Sequence, residues 1–170
     1  MKIILSTIFL IFISQVILSQ KKFELKIPEI KKLKLLKNNS QNDVDLFFLY
    51  MENNYKSISN KFDIINDSDF ENNPECGFKK NYEYGILFTS NSCGEASPLK
   101  QAIVFPKTKE KELRKLIENI YYADLYENSD STNKWIKDKN EFTPEKNEAG
   151  CYYKIIQSKD KSTIEVFCGC

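Results

Sequence analysis

The chain contains no histidine among its 170 residues. Histidine is the commonest general base and metal ligand at neutral pH. Its absence excludes Ser–His and Cys–His nucleophile arrangements and every zinc site that needs an imidazole ligand. No other catalytic or cofactor motif stands out. We therefore predict a non-catalytic protein with no metal and no cofactor.

Arginine is almost missing as well. Arg114 is the single arginine, and the 25 basic residues of the chain face 24 acidic ones. Proteins that bind nucleic acid need clustered arginine and lysine, often with aromatic side chains for stacking. A chain with balanced charge and one arginine lacks that pattern, so we exclude nucleic acid as a partner.

The N-terminus has the organisation of a secretory signal. Lys2 is followed by an almost uninterrupted apolar run, Ile3 to Leu18, and then by the small residue Ser19. The run is too short to span a bilayer comfortably. We predict that residues 1–19 are a signal peptide, cut after Ser19 or one residue later, and that the protein is secreted or periplasmic. An uncleaved N-terminal anchor is the alternative.

Residues 20–40 are predicted to form a basic N-terminal arm. Positions 21–40 hold seven lysines against two glutamates, whereas positions 41–78 hold two lysines against eight acids. Ile30, Leu33 and Leu36 fit one face of a short helix, although Leu33 and Leu35 would also fit a strand. The arm could contact anionic lipid or cell-wall polymer. A solvated linker edge is the simpler interpretation.

The remainder, residues 41–170, is predicted to be one disulfide-bearing α+β domain. Apolar residues at helical spacing indicate a helix over 42–56 whose start Ser40 or Asn42 can cap, and another from an N-cap at Thr108 to about residue 126. Alternating residues indicate strands over 82–90, 99–105, 151–157 and 162–170, and a short strand from Lys134. We expect an antiparallel sheet of about four to five strands, built from two hairpins, with two main helices packed on it.

The hairpin near the C-terminus constrains the cysteines. Pairing Ser158 with Lys161 places Cys151 opposite Cys168, and pairing Lys159 with Ser162 places Cys151 opposite Cys170. Both registers put the cysteines on the apolar face of the hairpin, and the opposite face carries Lys154, Thr163 and Glu165. In an exported protein we expect such residues to be oxidised. Five cysteines leave one unpaired, and the five disulfide candidates are Cys76, Cys93, Cys151, Cys168 and Cys170.

The preferred second bridge joins Cys76 to Cys93. Thiol exchange or soft-metal binding by the Cys168-Gly169-Cys170 motif is an alternative to a purely structural role. Redox thiols normally lie beside a helix N-terminus or a cation, and this motif ends a strand. We therefore favour structural bridges.

Three functions remain open for such a domain. The preferred one is an exported protein-binding module of inhibitory or immunity type, with another protein as its partner. It predicts an exposed aromatic surface, for which the candidates are Tyr121, Tyr122, Tyr126 and Trp135. The alternatives are a structural envelope protein that uses the basic arm and a thiol-disulfide carrier that uses the terminal cysteines.

Overall fold

The computed structural model describes residues 22–40, 45–59, 63–64, 77–91, 98–125, 132–145 and 149–169. The predicted signal peptide, Cys76, Cys93, Cys170 and Tyr126 lie outside these ranges, so the expectations that concern them stay predictions. The helices are α1 (Ile30–Asn38), α2 (Leu46–Asn54) and α3 (Glu110–Asp124). The strands are β1 (Asp63–Ile64), β2 (Gly77–Tyr82), β3 (Ile86–Asn91), β4 (Leu99–Pro106), β5 (Asn133–Ile136), β6 (Glu141–Pro144), β7 (Gly150–Gln157) and β8 (Lys161–Gly169).

All the strands belong to one antiparallel sheet, ordered β1-β2-β3-β4-β8-β7-β6-β5. Strands β1 to β4 and β5 to β8 form two antiparallel meanders, which meet where β4 pairs with β8. Helix α3 carries the chain from one meander to the other. The α+β class with an antiparallel sheet is confirmed. The strand count is not: the described residues form seven longer strands and the two-residue β1, rather than four or five strands in two hairpins.

A tight turn divides the segment that was predicted as one strand, so that its first residue belongs to β2 and the rest forms β3. Residues 82–90 were predicted as one strand, but the chain reverses at Glu83–Gly85, and Tyr82 then pairs with Ile86 across the β2–β3 hairpin. Tyr84 and Gly85 both have left-handed backbone, with φ of 64° and 71°. A tyrosine rarely adopts that conformation. The sequence therefore signals the turn through Gly85 alone. Tyr84 therefore lies in the turn and not on the strand face with Ile86 and Phe88.

The helices lie against one face of the sheet. Phe47 of α2 and Tyr121 of α3 both contact the Tyr153 ring of β7, at centroid distances of 6.2 and 6.1 Å. Phe48 contacts the Phe88 ring of β3 at 5.6 Å. On β3, β4, β7 and β8 every second residue is buried against these helices. One side of the sheet thus forms the core, and among the described residues no helix lies on the other side.

Both main helices begin later than predicted. Helix α2 starts at Leu46 because Asp45, rather than Ser40 or Asn42, caps it by accepting a hydrogen bond from the Phe48 N–H at 2.9 Å. Helix α3 has Lys109 at its N-cap position. Thr108 does not cap α3, since its hydroxyl donates to the Pro106 carbonyl at 2.7 Å.

Residues 22–40 pack as part of the domain. Leu25 and Leu33 are buried in the core, and α1 lies along α3. Two phenols hold the extended segment before α1: Tyr50 Oη donates to the Lys26 carbonyl at 2.8 Å, and Tyr55 Oη accepts the Lys26 N–H at 3.1 Å. The two oxygens are themselves 3.1 Å apart. The basic segment is therefore fixed to the body of the protein and is not a free linker in the described range.

The β7–β8 hairpin has one of the two predicted registers. Gln157 pairs with Ser162, and the Ser158 N–H donates to the Lys161 carbonyl at 3.0 Å. Cys151 then lies opposite Cys168, and their sulfurs are at disulfide distance, 2.06 Å. Both cysteines pack against the core, as the alternation of the hairpin predicts.

Candidate binding surface on the helix-free face of the sheet

A concave groove of about 620 Å³ crosses the face of the sheet that carries no described helix. Strand register aligns its lining residues in two neighbouring rows. One row runs Thr89, Ala102, Glu165, Lys154 and Glu141, and the other runs Asn91, Lys100, Phe167, Tyr152 and Thr143. The groove crosses five strands, which corresponds to a length of about 19 Å at the usual strand spacing. We call these ten residues the sheet groove.

The middle of the sheet groove is apolar. Phe167 and Tyr152 are directly paired across β8 and β7, and their ring centroids are 6.2 Å apart. Phe167 is 37% exposed, which is unusual for a phenylalanine in the central part of a sheet. Ile156 lies on the same face of β7, beyond the Lys154–Glu165 pair, and is 40% exposed. The face thus presents large apolar side chains where an ordinary solvent-facing sheet carries polar ones.

Charged side chains flank this apolar centre. Lys154 lies directly opposite Glu165, and its ammonium group is 3.5 Å from the Glu141 carboxylate. Lys154 thus has the Glu141 carboxylate within ion-pairing distance, and this row carries two acids against one base. Lys100, at the β4 end, differs: no described carboxylate lies within ion-pairing distance of it, although its side chain is exposed beside Phe167. The groove therefore offers one cation that a carboxylate on a partner could pair with.

The row of residues beneath the groove points to the core and includes a buried polar side chain. Gln101 is buried, and neither atom of its amide finds a hydrogen-bond partner. The amide approaches the Asp45 carboxyl and opposes a rise in its pKa, but burial outweighs this effect and raises the pKa of Asp45. Burial, reinforced by the Asp124 and Asp45 charges, also raises the pKa of Tyr153. Tyr153 therefore stays a neutral phenol at physiological pH.

A second polar cluster lies between α2 and β2. The Glu52 carboxylate accepts hydrogen bonds from Lys80 Nζ at 2.7 Å and from Tyr82 Oη at 2.6 Å. The Lys80 ammonium also lies near the Phe48 and Tyr82 rings, at 5.6 and 5.7 Å. Burial and the bond to Glu52 raise the pKa of Tyr82, so this phenol is a donor and not a base. The cluster neutralises a buried lysine and is structural.

Of the four aromatic residues predicted as an interaction surface, three are described, and these three do not form one exposed cluster. Tyr121 is buried, and its hydroxyl accepts the Asn133 N–H at 3.1 Å. Trp135 is half-buried: its Nε1 donates to Glu118 at 2.8 Å, and the Arg114 guanidinium lies 4.3 Å from its ring. Tyr122 is 43% exposed, and Tyr126 lies outside the described ranges. Of the three described aromatics, Tyr122 alone has a large exposed surface.

The sequence analysis did not predict the groove residues as a binding surface, and the reason lies in the β7–β8 hairpin. The two faces of the β7–β8 hairpin were separated correctly, but the outer face was judged by Lys154, Thr163 and Glu165. The same alternation places Tyr152, Ile156 and Phe167 on that outer face. Three large apolar side chains on the supposedly polar face were the available signal.

Among the described residues, no group of three or more acidic or cysteine side chains is arranged to hold a metal ion. None of the helices in these ranges has the length and apolarity that crossing a bilayer requires. Comparison with protein-family models, with curated proteins and with solved structures finds no match for this chain.

Proposed function

We propose that the protein is an exported protein-binding module, of inhibitory or immunity type, and that the sheet groove is its contact surface. The observation that carries the proposal is the exposed apolar centre of the groove, where Phe167 and Tyr152 lie between two charged or polar ends. Contiguous apolar surface of this kind is typical of sites where proteins bind each other. The predicted signal peptide supports the export part of the proposal and is independent of the groove.

The shape of the groove indicates what the partner presents. A length of about 19 Å accommodates roughly six residues of extended chain, or one face of a short helix. Aromatic and apolar anchors at the centre, with charges at the rim, match the usual division of an interface into an apolar core and a polar rim. The partner should therefore insert an apolar element over Phe167 and place a carboxylate near Lys100.

Site-specific photo-crosslinking in the source cells tests this proposal. A photoreactive phenylalanine analogue replaces Tyr152 in one variant, Tyr122 in a second and Ile58 in a third. Tyr122 is a matched tyrosine on the helix side of the sheet, and Ile58 is an exposed residue that does not line the groove.

We expect a discrete protein adduct from position 152 and none from positions 122 or 58. An adduct from position 122 alone would show that the partner binds at α3, which is the surface that the aromatic residues of the sequence predict. If all three positions give the same smear of adducts, or none gives an adduct, the groove is not a binding surface.

A further inference from the structure

A different surface, the outer face of α1, combines an exposed leucine with exposed lysines. Leu35 is 54% exposed, and Lys31, Lys32 and Lys34 are exposed on the same helix. At 100° per residue, Lys31 lies about 40° from Leu35 around the helix on one side, Lys32 about 60° on the other, and Lys34 about 100°. The three lysines therefore flank Leu35 on both sides of the helix in the turn that precedes it, with Lys31 and Lys34 on one side and Lys32 on the other. We call these four residues the α1 outer face.

The body of the protein holds this face in a fixed orientation. Leu33, on the opposite side of the helix, is buried, and Ile30 packs against the core. Lys37 Nζ donates to the Asp124 carboxylate at 2.7 Å and to the Asp124 carbonyl at 3.2 Å, which ties the end of α1 to the end of α3. Because the inner side is anchored in this way, Leu35 points away from the core, and more than half of its surface is exposed.

The lysines of the face are available to an external anion. No described carboxylate lies within ion-pairing distance of Lys31, Lys32 or Lys34, and the segment from residue 22 to residue 40 holds six lysines against two glutamates. Each lysine at the surface of an anionic bilayer strengthens binding roughly fivefold. The charge of the face therefore complements a surface of negative sign.

We propose that the α1 outer face docks the protein on an anionic lipid surface, with Leu35 inserted among the acyl chains and the three lysines at the phosphate groups. Leu35 is the feature that selects lipid over a hydrated anionic polymer. An anionic polymer can pair with the lysines but has no apolar medium in which to bury an exposed leucine. A helix at a membrane interface, in contrast, buries such a residue at the boundary of the acyl chains. This contact is independent of the sheet groove.

Vesicle co-sedimentation tests the proposal, with vesicles of phosphatidylcholine alone and of an equal mixture of phosphatidylcholine and phosphatidylglycerol. The variants are Leu35→Ser and the double change Lys31→Glu with Lys34→Glu. Matched controls are Ile58→Ser, at another exposed apolar residue, and Lys159→Glu with Lys161→Glu, at the exposed β7–β8 turn. All proteins share one N-terminus, so any contribution from residues 1–19 is common to them.

We expect the wild-type protein to bind the mixed vesicles and to lose this binding in phosphatidylcholine alone. The double lysine variant should bind at least about twenty-five-fold more weakly, Leu35→Ser about tenfold more weakly, and both controls within about twofold of wild type. The proposal is overturned if wild type does not prefer the anionic vesicles, or if the control lysines matter as much as Lys31 and Lys34. It is also overturned if Leu35→Ser binds as wild type does, because the face would then be a site for polyanions only.

Discussion

Removing the Glu52 carboxylate should lower the free energy of unfolding, because two partly or fully buried groups in the described core depend on it. It is the shared acceptor for Lys80 Nζ and Tyr82 Oη. The Lys80 side chain is only 10% exposed, whereas that of Glu52 is 37% exposed. Changing Glu52 to alanine therefore leaves a buried ammonium group without this counter-charge and a buried phenol without its acceptor.

The expected cost follows from this asymmetry. Breaking a buried ion pair from one side costs about 3–5 kcal/mol when the remaining charge is sealed from water. Water can enter on the exposed Glu52 side, and the Phe48 and Tyr82 rings give the ammonium group weak compensation. We therefore expect Glu52→Ala to lower the free energy of unfolding by about 2–3 kcal/mol. Lys80→Met should cost less than about 1 kcal/mol, because it leaves only a partly solvated carboxylate.

Urea unfolding, followed by the fluorescence of Trp135 and by circular dichroism, measures these changes. The double variant, Glu52→Ala with Lys80→Met, should be more stable than Glu52→Ala alone, since it no longer buries an ammonium group that has lost the Glu52 carboxylate. The reasoning is refuted if Glu52→Ala costs less than about 0.5 kcal/mol, or if the costs of the two single changes simply add in the double variant.

Two further results are expected from the same unfolding assay. Replacing Cys151 and Cys168 together by alanine should cost up to about 3 kcal/mol by the loop-entropy argument. The difference between wild type and this variant should disappear when both are reduced, and a difference that persists in reductant would contradict the bridge. Burial raises the folded-state pKa of Asp45 above its ordinary value of 3.8, so the folded state binds this proton more tightly than the unfolded state. The contribution of the protonated Asp45 carboxyl to stability is therefore greatest below pH 3.8 and is lost as pH rises through the raised pKa. Asp45→Asn keeps an N-cap residue and should gain stability relative to wild type over that rise, whereas a constant difference across pH would show that the carboxyl is not buried.

Much of the fold follows from local patterns that the sequence displays. The stripe in α3, the alternation in β4 and the β7–β8 hairpin each bury one face, and the period of that face is legible without tertiary information. The hairpin is the clearest case. Its turn and its alternating faces limited the partner of Cys151 to two cysteines, and the structure pairs it with Cys168.

The short strand predicted from Lys134 is present as β5, whereas its partner β6 was missed. Strand β6 has four residues, too few for alternation to be distinctive, and Asp138 and Asn140 supply the left-handed positions of the turn before it in place of glycine. Asn140 is fixed by tertiary contacts: its side chain accepts from Arg114 at 2.6 Å and donates to Glu110 at 3.0 Å. Such contacts between distant segments are not visible in a local sequence window.

The candidate site depended on information of the same long-range kind. The sheet groove exists because β4 and β8 pair in the middle of the sheet, which brings Lys100 and Ala102 beside Phe167 and Glu165. A pattern along one strand shows that Phe167 faces outward, but it does not show which strands flank it. Tyr121 shows the opposite error. The helix pattern alone could leave its side chain exposed, but the pairing of β5 with β6 covers it.

The most direct test of the central proposal is the affinity of the partner captured from position 152 for the Ala102→Arg variant. Ala102 forms part of the groove floor, and an arginine there can extend into solvent and pair with Glu165, so the fold should be preserved while the groove is filled. The matched control is Ile58→Arg. The account predicts that Ala102→Arg weakens partner binding by a hundredfold or more, on the order of 3 kcal/mol, with an unchanged unfolding free energy and an unaffected control. Wild-type affinity in Ala102→Arg would contradict the account, because the partner would then bind elsewhere.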